Sequence, residues 1–175
     1  AVTFVDAGSG EGYHTCRIAQ WFEKQGVSCS GVGIDAAKSG AQAGAKLARA
    51  KELDTVQFAA GNIFALPLAD ESADLVYSIF APIPGEQAAR ILKKDGALVV
   101  VSAGREHLWE MRCALYGQPR VSEGVQMPAG FTVAERQHAW EDAEENYVFI
   151  LFTQEMKDSA ETPLLNVDAQ AGGWD

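Results

Sequence analysis

The stretch VDAGSGEGYHT, Val5 to Thr15, decides how the chain is read. An apolar segment leads into it. Gly8, Gly10 and Gly12 fall within five residues, and Asp6 and Glu11 stand beside them. Glycine admits positive φ and lets backbone N–H groups come close to a ligand. From Tyr13 the sequence reads as a helix, whose positive end points back at the loop. Any tight strand-to-helix turn favours glycine, so the loop alone leaves ligand binding open.

The segments that follow keep alternating. Residues 2–5 form a short buried-strand run. Residues 13–26 read as a helix, with Ile18, Ala19 and Phe22 on one face and Gly26 as a stop signal. Strands are expected at 30–34, 56–60, 74–80 and 97–102, and helices at 38–51, 85–92 and 105–116. ALVVVS, residues 97–102, is almost wholly apolar, as in a strand covered on both faces. Residues 92–96 read as a turn before it. Residues 131–139 and 147–153 are strand-like across a short acidic turn and should pair antiparallel. The expected fold is α/β: a doubly wound, Rossmann-like, mostly parallel seven-stranded sheet with a C-terminal antiparallel hairpin. One domain is expected over 1–157, and a poorly patterned tail over 158–175.

Composition narrows the function. A chain of 175 residues suits one domain with a sizeable core. Hydrophobic residues are 47% and charged residues 22%, ordinary for a globular protein. No apolar run approaches the roughly 20 residues of a membrane span, and no secretory signal is visible, so a cytoplasmic protein without a membrane partner is expected. Cys16, Cys29 and Cys113 are scattered, which argues against a disulfide framework and a paired-cysteine metal site. The formal charge of -10 is a poor footprint for a nucleic-acid binder. Glu141, Asp142, Glu144 and Glu145 read as a solvated acidic loop.

The ligand follows from the charges beside the glycines. Asp35 closes the second strand, 23 residues after Gly12, where a carboxylate can accept both ribose hydroxyls of an adenosine. The dinucleotide fingerprint is G-x-G-x-x-G, but the spacing here is G-x-G-x-G with Glu11 inside it. Carboxylates repel a pyrophosphate and suit a cationic amine. S-adenosylmethionine carries an ammonium, a sulfonium and an adenosine, and is favoured over a nicotinamide dinucleotide. After strand three, an adenine could stack on Ile63 and meet Asn62.

The order of these segments resembles the class I S-adenosylmethionine-dependent methyltransferases over nearly the whole chain. DAGSGEGYHT, GVGIDAAKSGAQAGAK, LPLADESADLVYSIFAP and SAGREHLWEMRCALY more narrowly resemble the bacterial large-subunit (23S) ribosomal RNA guanine-N1 methyltransferases. That resemblance rests on the Phe80-Ala81-Pro82 turn and the Gly104-Arg105-Glu106-His107-Leu108 segment. It implies cofactor contacts at Gly10, Glu11 and His107, beside Asp6, Gly8, Asp35, Asn62 and Ile63 from the general reading. It also implies methyl transfer to guanine N1 in rRNA, an acceptor pocket near Phe80, Ala81 and Pro82, and S-adenosylhomocysteine as product. Phe80 or Tyr77 could stack on a base, though both also read as core residues of a strand. Arg105 and Arg112 could meet phosphates, or be plain surface. No general base is evident; His14 is a speculative candidate.

The departures matter as much. The family begins with a four-cysteine zinc module that helps hold RNA, and zinc is expected only if such a module precedes Ala1. The chain begins at its first strand, as a fragment of a longer protein would. Family members form a symmetric dimer, so a homodimer is expected of the full-length protein. A small-molecule methyltransferase of the same fold, which the acidic charge favours, and a non-catalytic cofactor-binding module stay open beside the RNA enzyme.

Overall fold

The computed structural model describes residues 1–104, 107–118, 125–141 and 145–154. Strands and helices alternate as β1 (Val2–Ala7), α1 (Tyr13–Lys24), β2 (Cys29–Asp35), α2 (Lys38–Ala50), β3 (Val56–Ala60), β4 (Ala73–Ile79), α3 (Gly85–Ile91) and β5 (Leu92–Ala103). The helix α4 (Trp109–Tyr116) and the strands β6 (Phe131–Glu141) and β7 (Glu145–Gln154) follow. One seven-stranded sheet has the order β3-β2-β1-β4-β5-β7-β6. Strands β1 to β5 are parallel, β7 lies antiparallel to β5, and β6 antiparallel to β7. The expected fold class holds. Among the described residues no helix is long and apolar enough to cross a membrane.

Strand periodicity sorts side chains into two cores. On one side Phe4 and Tyr77 pack with Cys16 and Ala19 of α1 and Ala48 of α2. On the other, Val5, Val76, Leu98 and Val100 pack with Ala88 and Ile91 of α3 and with Phe131, Ile150 and Phe152. Helix α1 ends where Gly26 takes φ 70. The Gly26 N–H then donates to the Glu23 carbonyl and the Val27 N–H to that of Phe22, a Schellman stop.

Two boundaries differ from expectation by more than two residues. The strand expected at 97–102 begins at Leu92, because Leu92 already pairs with Ala73. The next pair is Leu75 with Ala97, so the expected turn is a three-residue bulge in β5. The helix expected at 105–116 begins at Trp109, because Leu108 sits in the left-handed region at φ 52. Arg105 and the tail 158–175 lie outside the described residues.

Chain order reverses at β1, which lies between β2 and β4. In an open parallel sheet such a reversal leaves a crevice beyond the carboxyl ends of the strands. The loops after β1, β2, β3 and β4 all open there, and so do most of the expected site residues.

Candidate functional site

The crevice has a floor of backbone. Gly8, Gly10 and Gly12 hold φ values of 93, 52 and 80. The Gly8 and Ser9 N–H groups donate to the Ile34 carbonyl at 2.8 and 3.1 Å, tying the loop to β2. A Cβ built on Gly10 meets nothing within 4 Å, so the crest of the loop is open. A Cβ on Gly12 stands 2.5 Å from the Phe58 ring and 2.8 Å from the Gly44 Cα. Gly33 and Gly44 leave room for the same ring, with built Cβ atoms 2.5 and 2.6 Å from it. The Phe58 ring therefore fills a slot made by three missing side chains, and α2 is drawn in against the loop.

Asp35 finishes this floor. Its Oδ2 accepts the Gly10 N–H at 2.9 Å and its Oδ1 accepts the Ala37 N–H at 2.8 Å. One carboxylate thus holds the loop after β1 against the turn before α2. Each oxygen keeps lone-pair capacity for a ribose hydroxyl. Glu11 is exposed at the loop crest.

Asp6 stands differently from its expectation as a charge beside the ligand. It is 2% exposed, beneath the loop, and accepts the Thr15 hydroxyl at 2.6 Å. That bond joins the end of β1 to the first turn of α1 and closes the loop from below. Burial pushes the Asp6 carboxyl up to about 6, against the lowering effect of Thr15 and Tyr77. The Tyr77 hydroxyl is buried without a partner in hydrogen-bond geometry, and burial together with Asp6 pushes its pKa well up. Tyr77 is core, 1% exposed, and so cannot be a stacking platform.

Beyond β3 the Asn62 Oδ1 accepts the Phe64 N–H at 2.9 Å and shapes the turn. Ile63 is 9% exposed and packs into the core, leaving only an edge for a ring to rest on.

The second wall is the turn after β4. Phe80 is 56% exposed and holds φ 52. Its N–H donates to the Val101 carbonyl at 2.9 Å. Ser78, fully buried, faces the carbonyls of Ala81 and Pro82 with its hydroxyl at 3.0 and 3.2 Å. The Phe80 ring stacks on His107, centroids 6.4 Å apart and planes 27° apart. A Cβ built on Gly8 would overlap that of Ala81, so the glycine loop and this turn touch.

The structure therefore brings Gly8, Gly10, Glu11 and Asp35 to one side of the crevice and Phe80, Ala81, Pro82 and His107 to the other. His14 lies exposed in the first turn of α1, edge-on to Tyr13. Partial burial, and then Arg17, pull its pKa below the usual histidine value. Arg112 lies over the Trp109 ring at 5.9 Å. Thr15 and Ser78 are the residues the sequence reading missed. Their only signal was a hydroxyl where the helix and strand patterns called for an apolar side chain. Among the described residues no group of three or more His, Cys, Asp or Glu could hold a metal ion.

A cradle of open glycine backbone, with a carboxylate at the end of β2, fits a nucleoside that carries a cationic arm. Comparisons with known proteins agree. A family model described as "Methyltransferase domain" matches residues 1–160. A 23S rRNA (guanine(748)-N(1))-methyltransferase of Streptomyces fradiae is 32% identical over 112 residues, 63% of this chain and 37% of that protein. A Bacillus subtilis protein whose name carries the same guanine-N1 activity is 34% identical over 116 residues, 66% of this chain and 39% of its own length. The chain spans little more than a third of these relatives. In fold it is similar to a SAM-dependent methyltransferase of Aquifex aeolicus, with TM-score 0.64 and 15% identity, over 86% of this chain and 81% of that one. It is also similar to a geranyl diphosphate C-methyltransferase of Streptomyces coelicolor, with TM-score 0.65 and 13% identity, over 89% and 74%.

Proposed function

We infer that this chain, which belongs to the methyltransferase domain family, moves a methyl group from S-adenosylmethionine to N1 of a guanine in large-subunit ribosomal RNA. It does so in the cytoplasm, as the catalytic domain of a longer protein. The observation that carries the acceptor is the 32–34% identity to relatives named for that reaction. The crevice supports it: an exposed aromatic ring, Phe80, stands in the turn that touches the glycine loop.

When bound, S-adenosylmethionine would supply an electrophilic methyl group, with the thioether of S-adenosylhomocysteine as the leaving group. The chain's own residues do the rest. Asp35 would hold the ribose, Gly10 and Glu11 the methionine arm, and Asn62 and the edge of Ile63 the adenine. His107 would flank the same cofactor from the opposite wall. Asp6 acts from below, through Thr15, by fixing the loop. Phe80 would offer its exposed ring to the guanine and so help to orient N1 towards the methyl group. Neutral guanine N1 carries a proton and no free lone pair, so a base must take it or a contact at O6 must polarise it. His14, whose pKa is lowered by partial burial and then by Arg17, is the candidate beside the loop.

The net charge of -10 favours a second reading, a small-molecule acceptor in the same crevice. One experiment separates the two. The complete gene product is given labelled S-adenosylmethionine and large-subunit RNA. Label should enter RNA at a guanine whose methylated Watson–Crick edge stops primer extension. Label absent from RNA, from a protein that still binds S-adenosylhomocysteine, would reject RNA as acceptor.

A further inference from the structure

We propose that the outer face of α1 and α2 is a track for the phosphate backbone of the RNA that enters the crevice. It rests on the RNA reading above and answers the charge objection to it. Negative charge is not spread evenly over this chain. Helices α1 and α2, with Lys51, carry Arg17, Lys24, Lys38, Lys46, Arg49 and Lys51 against a single acid, Glu23. The rest of the chain holds 8 Lys and Arg against 23 Asp and Glu. The acids that flank these helices in sequence are Glu11 and Asp35, at the crevice end, and Glu52 and Asp54, in the turn beyond α2.

Both helices pack on the same side of the sheet, so their outer sides form one surface. Lys24, Lys38, Lys46, Arg49 and Lys51 are exposed on it. Lys51 Nζ stands 3.5 Å from Gln20 Oε1, which sets a cation across the groove between the helices. Lys38 lies in the first turn of α2, where the helix dipole disfavours a cation and no acid accompanies it. That placement does not serve helix stability.

The surface begins at the site. Gly12 caps α1 and ends the glycine loop, and a Cβ on Gly40, in the first turn of α2, would stand 2.8 Å from the Gly10 carbonyl oxygen. Two exposed aromatics share α1 with the cations, Tyr13 at 56% and Trp21 at 46% exposure. The Arg17 guanidinium stacks 5.6 Å above the Tyr13 ring. Cations that follow a backbone, interleaved with rings on which bases stack, are what a single-stranded nucleic acid recognises. The strand flanking the target guanine fits this face, while the acidic remainder keeps RNA off the rest of the surface.

The test is the triple reversal K46E/R49E/K51E in the complete gene product, with the neutral K46Q/R49Q/K51Q beside it. None of these residues belongs to the cradle. RNA methylation is followed over a salt series. The KM for RNA should rise about tenfold, and the slope of log affinity against log salt should flatten by about 2 to 3, roughly 0.7–0.9 for each lost phosphate contact. The kcat and the affinity for S-adenosylhomocysteine should stay unchanged. An unaltered KM and salt slope overturn the proposal. So does an unaltered KM with loss of a dimer, which would give the face to a second copy of the chain. No RNA methylation by the unsubstituted protein would remove the RNA reading, and this proposal with it.

Discussion

On one side of the crevice Gly8, Gly10 and Gly12 hold positive φ without steric cost; on the other, Phe80 holds φ 52 with a full aromatic side chain. The first wall is backbone, drawn close by the Phe58 slot and tied down by Asp35. The second is a displayed ring, kept there by buried Ser78 and by the bond to the Val101 carbonyl. A left-handed non-glycine residue costs about 1–2 kcal/mol, and such strain persists where the surroundings hold it and function uses it. A wall of backbone offers any cofactor of this class the same close approach. A wall of side chain differs with its sequence, and on the proposed function it is the wall that would meet the acceptor.

The largest effect should come from spoiling the backbone wall. Gly12→Val drives carbon into the Phe58 ring and the Gly44 backbone at positive φ, and should cost about 3–5 kcal/mol from strain and overpacking. A urea midpoint equal to that of the unsubstituted chain would mean the slot is loose.

Asp6 comes next, through pH. Its folded pKa of about 6 lies above the ordinary 3.8, so the folded state binds the proton more tightly than the unfolded one. The stability it contributes is present in acid, is lost as pH rises from about 4 through 6, and is level above that. The loss amounts to about 3 kcal/mol. Asp6→Asn keeps an acceptor for Thr15 and should flatten that part of the profile. Parallel stability–pH curves for the two proteins would show that Asp6 is not the titrating group.

Asp35→Ala removes the acceptor for two backbone N–H groups and for the ribose of the proposed cofactor. It should weaken S-adenosylhomocysteine binding by about 2 kcal/mol, roughly 30-fold in Kd by calorimetry. Unchanged affinity would move the nucleoside elsewhere. The smallest change to the fold should be Phe80→Gly, which relieves the left-handed strain and raises stability by about 1 kcal/mol. The same change removes the ring and should raise the KM for RNA while leaving cofactor affinity alone. A fall in stability, or an unaltered KM, would blur the contrast between the two walls.

The sequence revealed the backbone wall better than the side-chain wall, and for a physical reason. Glycine at fixed spacing, and an acid at a strand end, have local causes, so Gly8, Gly10, Gly12 and Asp35 were readable. What Asp6 does depends on Thr15 arriving from the next helix, and sequence shows the carboxylate but not its burial. DLVYSIF reads as a buried strand, yet Tyr77 lies in the core while Phe80 faces outward, because the chain turns left-handed at that residue. The bulge at 92–96 looked like a turn because its lysines and glycine are turn residues, and only the partner strand shows that pairing continues. A net charge is a sum, and it hid the cationic face of α1 and α2.

Gly8 and Ala81 are pressed together where the two walls meet. A molecule that stiffens the loop therefore also restricts the turn, and the reverse. Each ligand prepays part of the ordering entropy of the other, so cofactor and acceptor should bind with positive cooperativity even if no atom of either wall changes its mean position.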